Sequence, residues 1–317
     1  MTAPQNPQSY NPGDAIEKTT QMGDIVAQRG KWLHSIRNNL AVINKSKDIT
    51  YLRDLFTGKP GIIVGAGPSL QKNIGLLAEH AKKYPLFCTD RAFAMLYEKG
   101  IIPEFTVAGD FHDIVADFFI GMPVRKTILL ASVKVSRKLV DLNWMARLFF
   151  LVMDSDEKFN EAMINLTGRR IAGIPGALIC GNSAYLAARF AGCNPITFVG
   201  CDMSMPEPSK NPNDINYEAT GLDGEKIYSV PGYLAGHEWL LRHLHLDNEV
   251  QSGKVKVFNS TEGGIMYGEH LPPPHPARIR GHISGRGQKP NDANPKKTGY
   301  LLNAGVKCLR DIWSISV

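Results

Sequence analysis

The chain has 317 residues, 43% of them hydrophobic and 21% charged, an ordinary globular composition with enough length to bury a sizeable core. A net charge of +6 favours anionic partners such as nucleotides, nucleic acid or acidic glycans. No apolar run approaches the ~20 residues of a membrane span. No C-x-x-C pair suggests zinc, and the odd set Cys88, Cys180, Cys193, Cys201 and Cys308 fits reduced thiols in the cytoplasm.

The first residues, Met1 to Asp14, are rich in Pro, Asn and Gln, carry no signal-peptide pattern and read as a mobile arm. From about Ala15 to Asp54 the spacing of Trp32, Leu33, Ile36, Leu40 and Ile43 predicts a helix. Gly58-Lys59-Pro60-Gly61 breaks it, and Ile62-Ile63-Val64 reads as a buried strand. Strand and helix patterns then alternate. Helices are predicted at 72–83, 91–99 and 183–191, and strands at 85–89, 105–108, 127–131, 147–152 and 195–199. The stretch from Met205 to Glu225 reads as a long loop, of the kind that serves as a lid or binding loop. His237, His243 and His245 share one helical stretch without metal-binding i, i+4 spacing between His237 and His243. Residues 271–297 read as loop and 300–312 as a final helix. Alternation of this kind predicts an α/β fold: a doubly wound, mainly parallel, Rossmann-like sheet with an N-terminal helical extension and a loop-rich C-terminal region. The expected organisation is 1–57 arm and helical extension, 58–270 nucleotide-binding catalytic domain, and 271–317 basic loop and C-terminal helix.

The chemistry-bearing motifs fall at predicted strand ends, where such sheets bind ligands. Gly65-Ala66-Gly67-Pro68-Ser69 joins a strand to a helix, so its glycines allow close backbone approach and the helix amides favour a phosphate. Ser69 is a natural N-cap or phosphate donor. On this reading Gly67→Val abolishes nucleotide binding while the protein still folds. A bare tight turn is the alternative. Leu70 stands where a third dinucleotide glycine belongs, although Asp90 lies 23 residues after Gly67, where a ribose-binding acid would sit and a nicotinamide enzyme would need one.

Asp110 and Asp113 follow the third strand, and with Asp90 they suit Mg²⁺ bound alongside substrate phosphates, or a sugar hydroxyl. A capping role is the alternative for Asp113. Gly181, Asn182 and Ser183 open another helix with an anion-friendly end. Asp202 lies just past a buried strand, where a carboxylate needs partners. It reads as a site residue or as a cap. Asp90, Asp110 and Asp202 are expected to line one cleft with the glycine loop. Phe258 to Gly264 reads as a functional loop. Between His275 and Tyr300 six basic residues face one acid, Asp292. That segment reads as a solvated loop or as a dock for an anionic acceptor or nucleic acid; with no aromatic before Tyr300, base stacking is poorly supported.

The segments GKPGIIVGAGPSLQKNI, IIPEFTVAGD, GNSAYLAARFAGCNPITFVGCDMSM and VKVFNSTEGG occur in order. Together they resemble the motility accessory factor family, whose shared domain is also called the 6-hydroxymethylpterin diphosphokinase MptE-like domain. The resemblance runs from about Trp32 to Gly268 and omits the extra helical regions of the larger motility factors. It implies a transferase that moves a sialic-acid-like nonulosonic acid, with a core similar to bacterial sialyltransferases using CMP-activated sugars. Their glycine-Pro-Ser loop matches Gly65 to Ser69, their helix-opening glycine Gly181, and their strand-end aspartate Asp202. Asp90 stands where they carry an asparagine. Their catalytic histidine precedes a helix matching Gly232 to Leu244; here that region holds Tyr228, with His237 further on, so His237, His112 and Tyr228 are the candidates for the base. The diphosphokinase branch implies a Mg²⁺-dependent transfer of pyrophosphate from ATP to a pterin alcohol, using Asp110 and Asp113. The implied partners are a nucleotide donor and an anionic, glycan or protein acceptor, in the cytoplasm and away from membranes. A non-catalytic nucleotide-binding protein is the remaining alternative.

Overall fold

The computed structural model describes residues 8–9 and 23–271, apart from 82, 155, 169–170, 177, 212–213, 223 and 269. The segment 275–300, the helix expected at 300–312 and Cys308 lie outside the described residues. The strands are β1 (Gln8–Ser9), β2 (Lys47–Asp48), β3 (Gly61–Val64), β4 (Leu86–Thr89), β5 (Phe105–Ala108), β6 (Ile128–Ser132), β7 (Ala146–Val152), β8 (Gly173–Ile174), β9 (Ile196–Val199), β10 (Tyr217–Thr220), β11 (Lys226–Ser229) and β12 (Val257–Asn259). The helices are α1 (Gly23–Lys45), α2 (Leu70–His80), α3 (Ala92–Tyr97), α4 (Ile114–Asp117), α5 (Arg137–Asp141), α6 (Glu157–Thr167), α7 (Cys180–Phe190), α8 (Pro231–Leu246) and α9 (Asn248–Gln251).

The main sheet runs β12-β9-β3-β4-β5-β6-β7-β2, with β8 on β7, and every pair is parallel. This is the expected doubly wound fold. The chain lays down β3 to β7 in one direction, then returns to place β9 on the other side of β3. The strand order therefore reverses between β3 and β9, which is where an open sheet of this kind forms its ligand crevice. Both faces of the sheet are buried, so its strands are nearly continuous apolar runs. Ile63, Phe87 and Phe105 pack with Ala184, Tyr185 and Ala188 of α7 on one face. Ile62, Val64, Leu86 and Cys88 pack with Ile36 and Ile43 of α1 and Phe93 of α3 on the other. Two-residue alternation within each strand thus sends successive side chains to separate cores.

Two predicted elements are corrected. The first helix ends at Lys45 rather than near Asp54. Lys47–Asp48 pairs with β7, and the Asp48 carboxylate caps a 3-10 turn at Ile49–Leu52 by accepting from Thr50 N–H at 2.9 Å. The loop expected from Met205 to Glu225 contains β10, which forms an antiparallel hairpin with β11. Helix α6 went unpredicted, although Asp156 is a plain N-cap that accepts from Lys158 and Phe159 N–H. It packs on α1, where Trp32 meets Phe159 and Arg29 pairs with Asp154 and Asp156 at 2.8 and 2.9 Å.

Glu104 sits at the opposite end of the sheet from the crevice. It accepts from Leu86 N–H at 2.8 Å, and desolvation pushes its carboxyl up to about 7 from the usual 4.5. Between those values the folded protein keeps a proton that the unfolded chain has released, so stability falls as pH rises through this window and levels off above it. Glu104→Gln keeps the acceptor and removes the charge. The variant is expected to gain about 1–3 kcal/mol over wild type on going from pH 4.5 to pH 8, read from urea denaturation at both values. An unchanged difference between the two proteins would remove Glu104 from this role.

Candidate functional site

The glycine loop and the end of β9 are locked together. Gly65 N–H donates to Val199 O at 2.9 Å and Gly67 N–H to Gly200 O at 2.7 Å. Ser69 donates from Oγ and from N–H to Asp202 Oδ2, at 2.9 and 3.3 Å. Leu70 N–H returns to Gly67 O. Pro68 has no N–H, so among the described residues Ala66 carries the one loop amide not engaged in this way. Ser69 makes no side-chain cap; the Asp202 carboxylate occupies the amino end of α2, where an external phosphate was expected.

Asp202 is nearly fully buried, at 4% exposure. Burial raises its pKa, opposed by the Ser69 bonds. A Cβ on Gly67 would lie 1.7 Å from Asp202 Oδ2, one on Gly263 2.6 Å from Oδ1, and one on Gly264 2.0 Å from the Asp202 carbonyl. The Gly67 requirement therefore comes first from packing against a carboxylate. A valine at Gly67 would collide with the Asp202 carboxylate before it met any ligand, which counts against the expectation that Gly67→Val leaves folding untouched.

Beside this knot the strand ends open. Asp90 follows β4, Asp110 follows β5, and Cys180 opens α7 between them. Cys180 Sγ lies 3.9 Å from Asp90 Oδ2 and accepts from Gly109 N–H. Burial, then the Asp90 charge, raises the thiol's pKa. The Asp90 pKa is raised chiefly by desolvation and also by Asp110, against the Arg91 N–H bond at 2.8 Å. Gly181, Asn182 and Ser183 form the buried first turn of α7, and Gly181 faces Cys201. Leu178, just before this helix, has φ 59° and is 54% exposed.

Lys134 was not singled out from the sequence. It stands just past β6, its Nζ 3.4 Å from the Trp32 ring centroid. Desolvation brings its pKa down to about 8, against the pull of Asp110 and Asp154. A cation so enclosed beside two carboxylates marks a functional site more often than a surface lysine does. Its position between Trp32 and Asp110 depends on how α1 crosses the sheet, which no local pattern reveals.

The histidines separate. His237 Nε2 lies 2.9 Å from the Tyr267 carbonyl, so that nitrogen carries the proton. Its Nδ1 is buried without a hydrogen-bond partner, and desolvation lowers the imidazole pKa. The preceding Gly236 carbonyl accepts from Asn182 Nδ2 at 2.8 Å, which ties this turn of α8 to the first turn of α7. His112 is instead exposed at the rim, its Nδ1 2.7 Å from Asp110 Oδ1. Tyr228 lies in the hairpin, on β11, paired to Met205. Asp113 makes no cap; it accepts from Ser136 Oγ at 2.7 Å and pairs with Lys138 at 3.0 Å. The structure thus brings Asp90, Asp110, Cys180 and Lys134 to one crevice wall, turns Asp202 into the glycine loop, and turns Asp113 away. Among the described residues, no three His, Cys, Asp or Glu side chains group as a metal site.

Residues 34–208, more than half of the chain, match the family described as 6-hydroxymethylpterin diphosphokinase MptE-like. The chain belongs to this family. An 86-residue stretch is 33% identical to the 6-hydroxymethyl-7,8-dihydropterin pyrophosphokinase of Methanocaldococcus jannaschii, covering 26% of this chain and 36% of that protein. A 59-residue stretch is 37% identical to an uncharacterized protein of Treponema pallidum, covering 19% of this chain and 28% of that one. These matches span about a third of each relative's length. The MAf glycosyltransferase of Magnetospirillum magneticum AMB-1 shares the fold, with a TM-score of 0.61 at 16% identity over 89% of this chain and 44% of that one. No described helix is long and apolar enough to cross a membrane.

The knot gives a stability prediction. Gly67→Ala must displace the Asp202 carboxylate, leaving Ser69 and Asp202 mismatched, and is expected to cost about 2–4 kcal/mol in denaturant unfolding. Gly75→Ala, with open space around its Cβ, is the control and should cost nothing. Equal stability of the two variants would contradict the packing role of Gly67.

Proposed function

We propose that this protein is a transferase that takes a nucleotide-activated donor in the crevice beyond β3, β4, β5 and β9, and that its reaction is glycosyl transfer from a CMP-nonulosonic-acid type of donor. The observation that carries the reading is the His237 imidazole. It is held as the Nε2–H tautomer by the Tyr267 carbonyl, burial lowers its pKa from 6.5, and its Nδ1 is buried without a hydrogen-bond partner. An acceptor hydroxyl passes its proton to Nδ1 as its oxygen attacks the donor's anomeric carbon. The bond from that carbon to the phosphate oxygen breaks, and the phosphate leaves with the electron pair. On this reading the amino end of α7 and the Lys134 ammonium hold the departing phosphate, and Asp90 takes a ribose hydroxyl. The shared fold with a glycosyltransferase supports this reading.

One observation favours a second reading. Asp90 and Asp110 lie at neighbouring strand ends, close enough that Asp110 adds to the rise of the Asp90 pKa, a pair suited to Mg²⁺ whose remaining ligands come from substrate phosphates. In a diphosphokinase these two, rather than Asp110 with Asp113, would hold the ion, which would neutralise phosphate charge. The family description and the Methanocaldococcus relative carry this name.

A thermal-shift screen with CMP, UDP, GDP and ATP, each with and without Mg²⁺, separates the two. Glycosyl transfer predicts stabilisation by CMP without metal, reaching ~2.7 kcal/mol at a hundred times its dissociation constant. Stabilisation by ATP with Mg²⁺ alone would transfer the assignment to the diphosphokinase. His237→Ala is expected to retain CMP binding and lose about 10²–10⁴-fold in turnover. Because burial lowers the imidazole pKa from 6.5, activity should fall only below that value and stay level from pH 7 upward. A profile still climbing between pH 7 and 9 would point to another base. Lys134→Met should weaken CMP at least ten-fold while sparing the fold; unaltered CMP affinity would remove Lys134 from the donor site.

A further inference from the structure

A second cleft lies between α1, α5 and the Phe111–Asp113 segment. It measures about 540 Å³ and is walled by Lys31, His34, Ser35 and Asn38 of α1, by Phe111 and Asp113, and by Arg137 and Lys138 of α5. Three full cations and an imidazole thus face one carboxylate. Arg137 is fixed, donating to Asp141 at 2.8 Å and to the Asn38 carbonyl at 2.6 Å, and this pins α5 to α1. Lys138 pairs with Asp113 across solvent, with its side chain 68% exposed. Such a pair contributes little and leaves the ammonium able to turn inward. Lys31 and His34 have no ion-pair partner among the described residues. Ser35 and Asn38 add a hydroxyl and an amide. Phe111 supplies a half-buried ring, its centroid 4.1 Å from that of His112.

We propose that this cleft is an anion subsite that binds the phosphate or carboxylate group of a second substrate, with Lys31, His34 and Lys138 as its ligands and Phe111 as its apolar wall. One short segment joins it to the donor crevice: Asp110 faces the crevice, His112 the rim, and Phe111 and Asp113 the cleft. Ser136 N–H donates to the Asp110 carbonyl at 3.1 Å while Ser136 Oγ donates to Asp113, so the wall between the two sites is rigid. A substrate anchored here by its charge can extend over the Asp110–His112 rim toward the strand ends. That it is the acceptor rests on the transferase reading; that the cleft holds an anion does not.

The test follows the His34 imidazole resonances of the whole protein by NMR during titration with inorganic phosphate, and in parallel with acetate, at constant ionic strength. Wild type is compared with Lys31→Gln/Lys138→Gln. The expected result is a saturable shift at His34, with His243 and His245 on α8 unmoved, and at least ten-fold weaker binding by the variant. Tighter binding of phosphate than of acetate assigns a phosphate group to the substrate, and the reverse order assigns a carboxylate. No saturable shift with either anion, or equal binding by wild type and variant, overturns the proposal. Addition of CMP distinguishes this from the donor reading: phosphate at His34 with no CMP binding anywhere keeps the subsite and removes the donor assignment.

Discussion

At the point where the sheet reverses, the Asp202 carboxylate is enclosed by the glycine loop on one side and by Gly263 and Gly264 on the other. An isolated charge there would be costly, and the Ser69 hydroxyl and amide offset that cost. Ile265 N–H returns to the Asp202 carbonyl at 3.0 Å, and Thr261 Oγ accepts from Cys201 N–H at 3.1 Å. The ends of β3, β9 and β12 are thereby joined through one side chain and its backbone. The geometry of the crevice depends on this tie, because it fixes the height of the β3 loop relative to α7.

The tie also moves the ligand-facing surface. A glycine-rich loop before a helix is normally read as a phosphate cradle because its amides point outward. Here most of those amides point into the protein, and a carboxylate of the same chain takes the anion position on α2. Next along the sheet α7 begins beside Asp90 and Asp110, with Lys134 close by. The titratable groups there are Asp90, its pKa raised by burial, the Lys134 ammonium, its pKa lowered by burial, and the His237 imidazole, held by a backbone carbonyl.

Helix α1 has a larger role than an extension. Asn39 donates to the Val135 carbonyl at 2.8 Å, Arg29 reaches Asp154 and Asp156, and Trp32 covers Lys134. One helix therefore shields the crevice's cation on one face and forms a wall of the basic cleft on another, as the 3.6-residue period requires of residues 32, 36 and 39 against 31, 34, 35 and 38.

The sequence by itself determined the parallel strands and their order of appearance, because strands buried on both faces must be short apolar runs and the turns after them must be small and polar. It also marked nearly all strand ends that matter, and it pointed to the family through motifs that occur in order. It could not show that Asp202 turns into the Gly67 loop, that Asp113 turns to Lys138, or that His237 bonds the Tyr267 carbonyl and keeps a buried Nδ1 without a hydrogen-bond partner. Each of these depends on a partner 20 to more than 130 residues away, and a side chain's direction at a strand end is set by that partner and not by its neighbours in the chain. Lys134 shows the same limit most clearly. Read locally it is one more lysine after a strand, and it becomes a desolvated cation only when Trp32, 102 residues earlier, is laid across it by the docking of α1.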